Sequence, residues 1–380
     1  MGEEKRARGY RRVCIIGAGP AGASIARICA EAGCEVHVFE RRRHVAGQCY
    51  DERDEHGILV HRFGPHYFRT SDEWLLKWLS RFTEWLPGRY YVRASVNGIL
   101  APMPVSLATM TALKGKPFTE EEFRAYLEEH RVNVPHPRNA EEQCLALVGR
   151  ELYELLFKGY TEKQWGVHPR ELAPSVTARI PLRFNWDERY PSETYQVMPK
   201  QGYTALYRNM LDHRNIHIQT DAFMDNKDIE AERKSSDATI YTGPIDKLFD
   251  YRYGPLGYRS LRFEWKHFAI PYMQPCVQIN FPNDQAYTRI VEIKHVTGQE
   301  APDTTLCYEY PEAKGDPFYP LLTQENRDRY ELYKVLADEE SRREPPMYLV
   351  GRLAEFKYFN MDQVLLRAIK VAHEILERWG

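Results

Sequence analysis

The chain has 380 residues, with 52 basic and 54 acidic side chains, a formal net charge of −2, and 43% apolar and 28% charged residues. The near balance of charge excludes bulk electrostatic capture of nucleic acid or an anionic membrane. The composition excludes a collagenous or low-complexity chain, and the length predicts two to three domains. Seven cysteines at irregular spacing, with no C-x-x-C, predict neither a disulfide framework nor a zinc site, so no metal is expected. No segment approaches the ~18 consecutive apolar residues of a spanning helix. The first twelve residues hold no apolar run of the kind a secretory signal needs. Membrane insertion is therefore not expected, and a cytoplasmic location is.

The run Val13–Ile16 is short, apolar and β-branched, as suits a buried parallel strand. Gly17-Ala18-Gly19-Pro20-Ala21-Gly22 follows, then a predicted helix over Ala23–Ala32 that stops at Gly33, then a second strand Glu35–Phe39 ending at Glu40. This is a βαβ unit carrying a dinucleotide fingerprint. Gly17 permits the tight turn, Gly19 lets the backbone approach a pyrophosphate, and Gly22 lets helix and strand pack closely. The helix end faces the phosphates with unpaired N–H groups, with Pro20 and Ala21 beside them, and Glu40 can accept from ribose hydroxyls. The fingerprint leaves FAD and NAD open. Arg41, Arg42 and Arg43 would suit a phosphorylated nicotinamide cofactor, whereas the loop His44–Glu52, with Gly47 and Gln48, favours a flavin that the chain wraps a second time.

Apolar residues at helical spacing predict helices over 72–86, 119–130 and 140–158, and 95–105 reads as a hairpin turning at Asn97-Gly98. Tyr203–Leu211 reads as a helix, and Ile216–Thr220 and Ala238–Tyr241 as short strands. Residues 260–310 alternate apolar and polar like antiparallel strands, and the last helix is expected over Met361–Arg378. The layout is a mixture of α/β and α+β. A nucleotide domain is assembled from residues 10–70, about 200–250 and 345–380; a mainly helical part spans 71–190; a sheet-based part spans 255–345.

Several later strings are more specific: FGPHYFRT (63–70), LVGRELYELLFKGYTEKQWG (147–166), ARIPLRFNWDERY (178–190), YTGPID (241–246), YRSLRFE (258–264), YTRIVEIKH (287–295) and GRLAEFKYFNMDQ (351–363). Together with the fingerprint, the chain resembles the bacterial UDP-galactopyranose mutase family, in order, from about Arg12 to the last helix. The resemblance implies a Rossmann-like FAD-binding domain with a helical insertion and an antiparallel sheet substrate domain, in a homodimer. It implies interconversion of UDP-galactopyranose and UDP-galactofuranose, a step in cell-surface polysaccharide biosynthesis. The flavin must be reduced, by NAD(P)H or another donor, and its N5 attacks the anomeric carbon.

That chemistry needs cations to hold a diphosphate that leaves and returns, and a planar guanidinium binds phosphate bidentately. By resemblance, Arg179 and Arg289 form this clamp, with Arg179 on a mobile segment, and His66 lies beside the flavin. Tyr160 stacks on the base, Tyr190, Tyr319 and Tyr358 contact phosphate, and Trp165 and Asn280 belong to the substrate pocket. Arg352 sits near the flavin ring, and Gly351, Met361, Asp362 and Gln363 form the second flavin-binding segment. The sequence departs from the family at Gln48, where Asn is usual, and at Arg69, where a histidine is usual. Arg69 could reach a carbonyl at the sugar's C2, which keeps UDP-N-acetylgalactosamine or another sugar nucleotide in view. Asn360 stands where some members have Asp. An amine-oxidase type flavin oxidoreductase and a non-catalytic binding protein are the competing readings.

Overall fold

Two β-sheets organise the computed structural model, which describes residues 10–178 and 181–380. The first has five parallel strands in the order Ile216–Gln219, Glu35–Phe39, Arg12–Ile16, Ala238–Tyr241, Met347–Leu349. Its strands come from three separated stretches of chain, joined by the long crossovers that parallel pairing requires. The helices Pro20–Glu31 and Met361–Glu377 pack against each other over it. Val13, Ile15, Val36 and Val38 are fully buried, as are Leu365, Ala368, Val371 and Ala372 of the last helix. The first helix begins at Pro20 rather than Ala23, because proline is preorganised for the first helical position and loses no needed N–H there.

The second sheet has seven strands in the order Tyr319–Pro320, Tyr258–Phe268, Thr304–Glu312, Arg289–Val291, Gln278–Asn280, Val92–Val96, Ile99–Met103. Every pairing is antiparallel except that of 278–280 with 92–96. The hairpin 92–103 turns at Asn97 and Gly98, both left-handed (φ 50° and 77°), which matches the twist of a two-residue turn. It lies inside the stretch expected to be mainly helical, but its strand edge is completed by Gln278–Asn280, so it belongs to this sheet.

Two predicted helices differ in detail. The helix expected over 72–86 runs only from Glu73 to Leu79, capped by Asp72, whose carboxylate accepts from Leu75 N at 2.8 Å. Beyond it Trp85 stacks on Phe68 (5.5 Å), and Trp85–Pro87 pairs with Tyr195–Pro199 as a strand. The helix from Ala140 bends at Gly149 (φ +81°), where a Cβ would lie 2.4 Å from the His130 carbonyl, and continues in wider turns to Lys158. All seven cysteines are buried and free. Among the described residues, no helix is long and apolar enough to cross a membrane.

Candidate active site

A cavity of about 890 Å³ opens at the carboxyl ends of the parallel strands, where ligands bind in open α/β sheets. Gly17, Gly19, Pro20, Ala21, Gly22, Glu40, Arg41, Gly47, Gln48, Arg352 and Met361 all line it, as does His66. The glycines are needed there. A Cβ on Gly17 would lie 2.0 Å from Thr242 Oγ1, one on Gly22 1.9 Å from the Gly17 carbonyl, and one on Gly47 2.9 Å from Gly19 Cα. The loop carrying Gly47 thus rests on the first glycine turn, and Ala46 N donates to Ala18 O (2.9 Å). Glu40 is buried and braces the same turn. Its Oε2 accepts from Ala18 N and its Oε1 from Arg42 N, both at 2.9 Å. No side chain caps the helix at Gly19, so its first-turn N–H groups face the cavity without a side-chain acceptor. These residues fit a dinucleotide pyrophosphate. Gln48 is committed to protein, donating to Pro317 O at 2.8 Å.

Register builds the neighbouring substrate side. Asn280 stands directly across from Arg289, and Arg289 across from Glu309. Cross-strand partners share a face of the sheet, so the three functional groups fall in one row. Arg289 Nε donates to Glu309 Oε2 at 2.7 Å. Burial opposes both charges, raising the Glu309 carboxyl; the guanidinium pulls the carboxyl back and is itself kept ionised by the carboxylate. Glu309 is 0% exposed and its Oε1 has no hydrogen-bond partner among the described residues. The sequence reading missed it, and the signal available was its place in an alternating strand, two positions after Cys307. Asn280 is oriented by a relay: Tyr90 Oη donates to Gln278 Oε1 (2.8 Å), and Gln278 Nε2 donates to Asn280 Oδ1 (2.7 Å).

Aromatic side chains enclose the row. Tyr319 and Tyr358 stack at 5.3 Å, and Trp165 meets them at 6.1 and 5.9 Å. Arg352 lies over both tyrosines, at 5.3 and 5.2 Å, and so joins this cluster to the cavity that it also lines. Burial raises the Tyr160 phenol, which sits within electrostatic reach of Arg289, Tyr190, Glu309 and Tyr319. Tyr160 and Trp165 ride on the helix Gly159–Trp165. Lys163, also missed from sequence, ties that helix to the chain just before Arg289, donating to the carbonyls of Phe281, Gln285 (2.8 Å) and Tyr287 (3.3 Å). Burial lowers its pKa to about 8.

His66 is half-buried. Its Nδ1 meets Gly64 O at 2.9 Å, and a carbonyl only accepts, so the proton sits on Nδ1. Burial, helped by His61 and by the Arg352 and Arg289 cations, depresses its pKa to about 3, leaving Nε2 a free acceptor. His66 N donates to His61 Nδ1 (3.0 Å), which fixes the opposite tautomer on the fully buried His61, whose pKa burial also lowers to about 3. Both histidines stay neutral in the fold but gain protons near pH 6.5 when unfolded. Stability is therefore full above that pH and is lost progressively as pH falls from about 6.5 toward 3. Denaturant midpoints measured across this window should fall on acidification, and His61→Gln should reduce the slope by about one proton; an unchanged slope would contradict the assignment.

Arg69, Gln363 and Arg179 complete the expected set, and Arg69 lies within electrostatic reach of Tyr190. Arg69 is tied within the protein: its Nη1 donates to Glu193 Oε1 (3.0 Å) and Oε2 (3.1 Å), and its Nη2 to Asn360 Oδ1 (3.1 Å). Gln363 does not line the cavity; its Oε1 accepts from Asn360 N (2.9 Å) and caps the last helix. Arg179 lies outside the described residues.

Comparisons with known proteins agree with this geometry. The family described as UDP-galactopyranose mutase matches residues 155–358, and an NAD(P)-binding Rossmann-like domain matches 15–82. The chain is 37% identical over 373 residues to a probable UDP-galactopyranose mutase of Klebsiella pneumoniae, covering 96% of this chain and 95% of that one. It is 34% identical to a dTDP-fucopyranose mutase of Escherichia coli, covering 95% and 97%. The fold matches a reduced UDP-galactopyranose mutase with TM-score 0.78 at 16% identity, over 97% and 96% of the chains. A putrescine oxidase shares the fold more loosely, with TM-score 0.61 at 11% identity, over 97% and 99% of the chains. With the glycine cradle, the arginine row and full-length identity above 30% all in one chain, it belongs to the UDP-galactopyranose mutase family.

Proposed function

We propose that the chain interconverts UDP-galactopyranose and UDP-galactofuranose as a cytoplasmic homodimer, with reduced FAD as cofactor and NAD(P)H or another donor as reductant. The observation that carries this reading is the row Asn280, Arg289, Glu309, linked to the end of the dinucleotide cavity through His66 and Arg352. The glycine turns, Glu40 and the first helix end would hold FAD, and when bound in reduced form the flavin supplies an electron-rich nitrogen nucleophile.

The chain's own residues do the rest. Arg289, locked by Glu309, presents its remaining N–H groups to a diphosphate that departs and must stay close enough to return. The hydroxyls of Tyr190, Tyr319 and Tyr358 add hydrogen bonds without adding charge, which keeps the grip reversible, and Tyr160 is proposed to stack on the base. Arg179 is proposed as the second cation of the clamp. Trp165 and the stacked pair Tyr319 and Tyr358 exclude water from the reacting carbon. Asn280, its carbonyl already engaged by Gln278, offers its NH₂ to a sugar hydroxyl. His66 offers Nε2 as an acceptor at the flavin edge. A clamp built on Arg289 and Arg179 argues against an amine oxidase, because an amine substrate carries no diphosphate for it to hold.

Dithionite-reduced protein incubated with UDP-galactofuranose should give UDP-galactopyranose, resolved by chromatography, while oxidised protein should not. The dTDP-fucose nucleotide is the informative competitor and should turn over more slowly. Absence of ring isomerisation with either nucleotide would overturn the proposal.

A further inference from the structure

The parallel sheet carries a second group of chemically capable side chains, on the face away from the two packed helices. Glu35 and His37 are two apart on one strand, so they point to the same side. His217 on the edge strand is in register with His37. The three side chains therefore converge by topology. His37 Nε2 lies 3.2 Å and His217 Nε2 3.8 Å from Glu35 Oε1, and the imidazole centroids are 5.0 Å apart. All three donor atoms lie within 4.8 Å of one another. Two ligands on a tetrahedral zinc ion, at about 2.0–2.1 Å each, are themselves about 3.3 Å apart. The present donor separations, 3.2 Å and 3.8 Å from Glu35 and none above 4.8 Å, are close to that spacing.

We infer that Glu35, His37 and His217 form a binding site for a divalent transition metal of the zinc class, with water completing the coordination. Two imidazoles and one carboxylate select zinc, cobalt or nickel over magnesium and calcium, which prefer all-oxygen sites. The ion replaces a proton on His37 Nε2 and bridges the edge strand to its neighbour. The consequence reaches the cofactor cavity. Just beyond the bridge, Glu40 N donates to Gln219 O and Ala222 N donates to Glu40 O, both at 2.9 Å. Ala222, Phe223 and Met224 then line the cavity. A metal at His37 and His217 thus fixes the strand that delivers this wall. Cysteine spacing pointed to no metal because the ligands lie on strands far apart in sequence.

A second trio, His56, His267 and Asp303, is partly exposed and its two rings are stacked at 3.5 Å. The test is therefore made in tag-free, flavin-loaded, full-length protein carrying His56→Ala. Calorimetric titration with Zn²⁺ should show one site per chain at micromolar or tighter affinity, and Co²⁺ should give the visible absorption of a low-coordinate N/O site. His217→Ala and, independently, Glu35→Gln should each weaken Zn²⁺ at least about tenfold. Zn²⁺ should raise the melting temperature of the parent but not of His217→Ala. Equal Zn²⁺ affinity in parent and both variants, or binding only at millimolar Zn²⁺, would overturn the inference. None of these readouts depends on mutase turnover.

Discussion

Arg289→Ala should lower kcat/KM by roughly 10²–10³, the usual cost of removing one preorganised group that stabilises charge developing in the transition state. The diphosphate carries more charge after the anomeric bond breaks than before, so the loss should fall mainly on kcat. The substitution has a second effect that must be separated from the first. It strands Glu309, a fully buried carboxylate, without its partner, and breaking such a pair costs about 3–5 kcal/mol. The double variant Arg289→Ala/Glu309→Gln removes the stranded charge. It should recover melting temperature while remaining as inactive as the single variant. Arg289→Lys should fall between wild type and Ala, since it keeps the charge but loses the fork that donates both to Glu309 and to phosphate. Activity within tenfold of wild type, in Arg289→Ala that retains its flavin, would remove this residue from the clamp.

Gly22→Ala should abolish cofactor retention. The new Cβ would lie 1.9 Å from the Gly17 carbonyl and 3.1 Å from Ile15 Cγ2, and neither a backbone carbonyl nor a core side chain has room to move. Relief requires the first helix to lift from the strand Arg12–Ile16, and with it the N–H groups that face the pyrophosphate. The measurement is flavin absorbance per chain after gel filtration, together with melting temperature. The matched control is Gly33→Ala. Unlike Gly22, which lies inside the helix, Gly33 is left-handed (φ +91°), and none of the described residues lies within 4 Å of its Cβ position. It should cost only the local backbone strain, about 1–2 kcal/mol, and keep its flavin. Full flavin content in Gly22→Ala would refute the packing argument.

The parts of the molecule legible in the sequence were those encoded locally. The fingerprint from Val13 to Glu40 reads as strand, turn, helix and strand because each step has its own signal: β-branched run, glycines, apolar spacing, terminal acid. The antiparallel strands after residue 260 were legible from alternation. What escaped depends on partners distant in sequence. Trp85–Pro87 becomes a strand because Phe68 and Met198 wait for it, and nothing in residues 72–86 says so. The hairpin at Asn97-Gly98 was readable as a hairpin, but its place beside Gln278–Asn280 was not. Glu309 and Lys163 resemble ordinary solvated charges until the fold buries the first beside Arg289 and surrounds the second with three carbonyls. The tie from Arg69 to Glu193 and Asn360 was not legible either, because those partners lie far along the chain.

The register of the second sheet also limits how this family member can be re-engineered. Asn280 and Arg289 bracket a connection running from 281 to 288, and side chains along each strand change face at every step. Lengthening the loop at its tip leaves both groups in place. A single residue inserted within Arg289–Val291, or deleted from it, that slips the register by one would turn the guanidinium to the opposite surface and leave Glu309 without its partner. Insertional libraries through 278–291 should therefore tolerate changes only between the strands, and survivors inside them should come in steps of two.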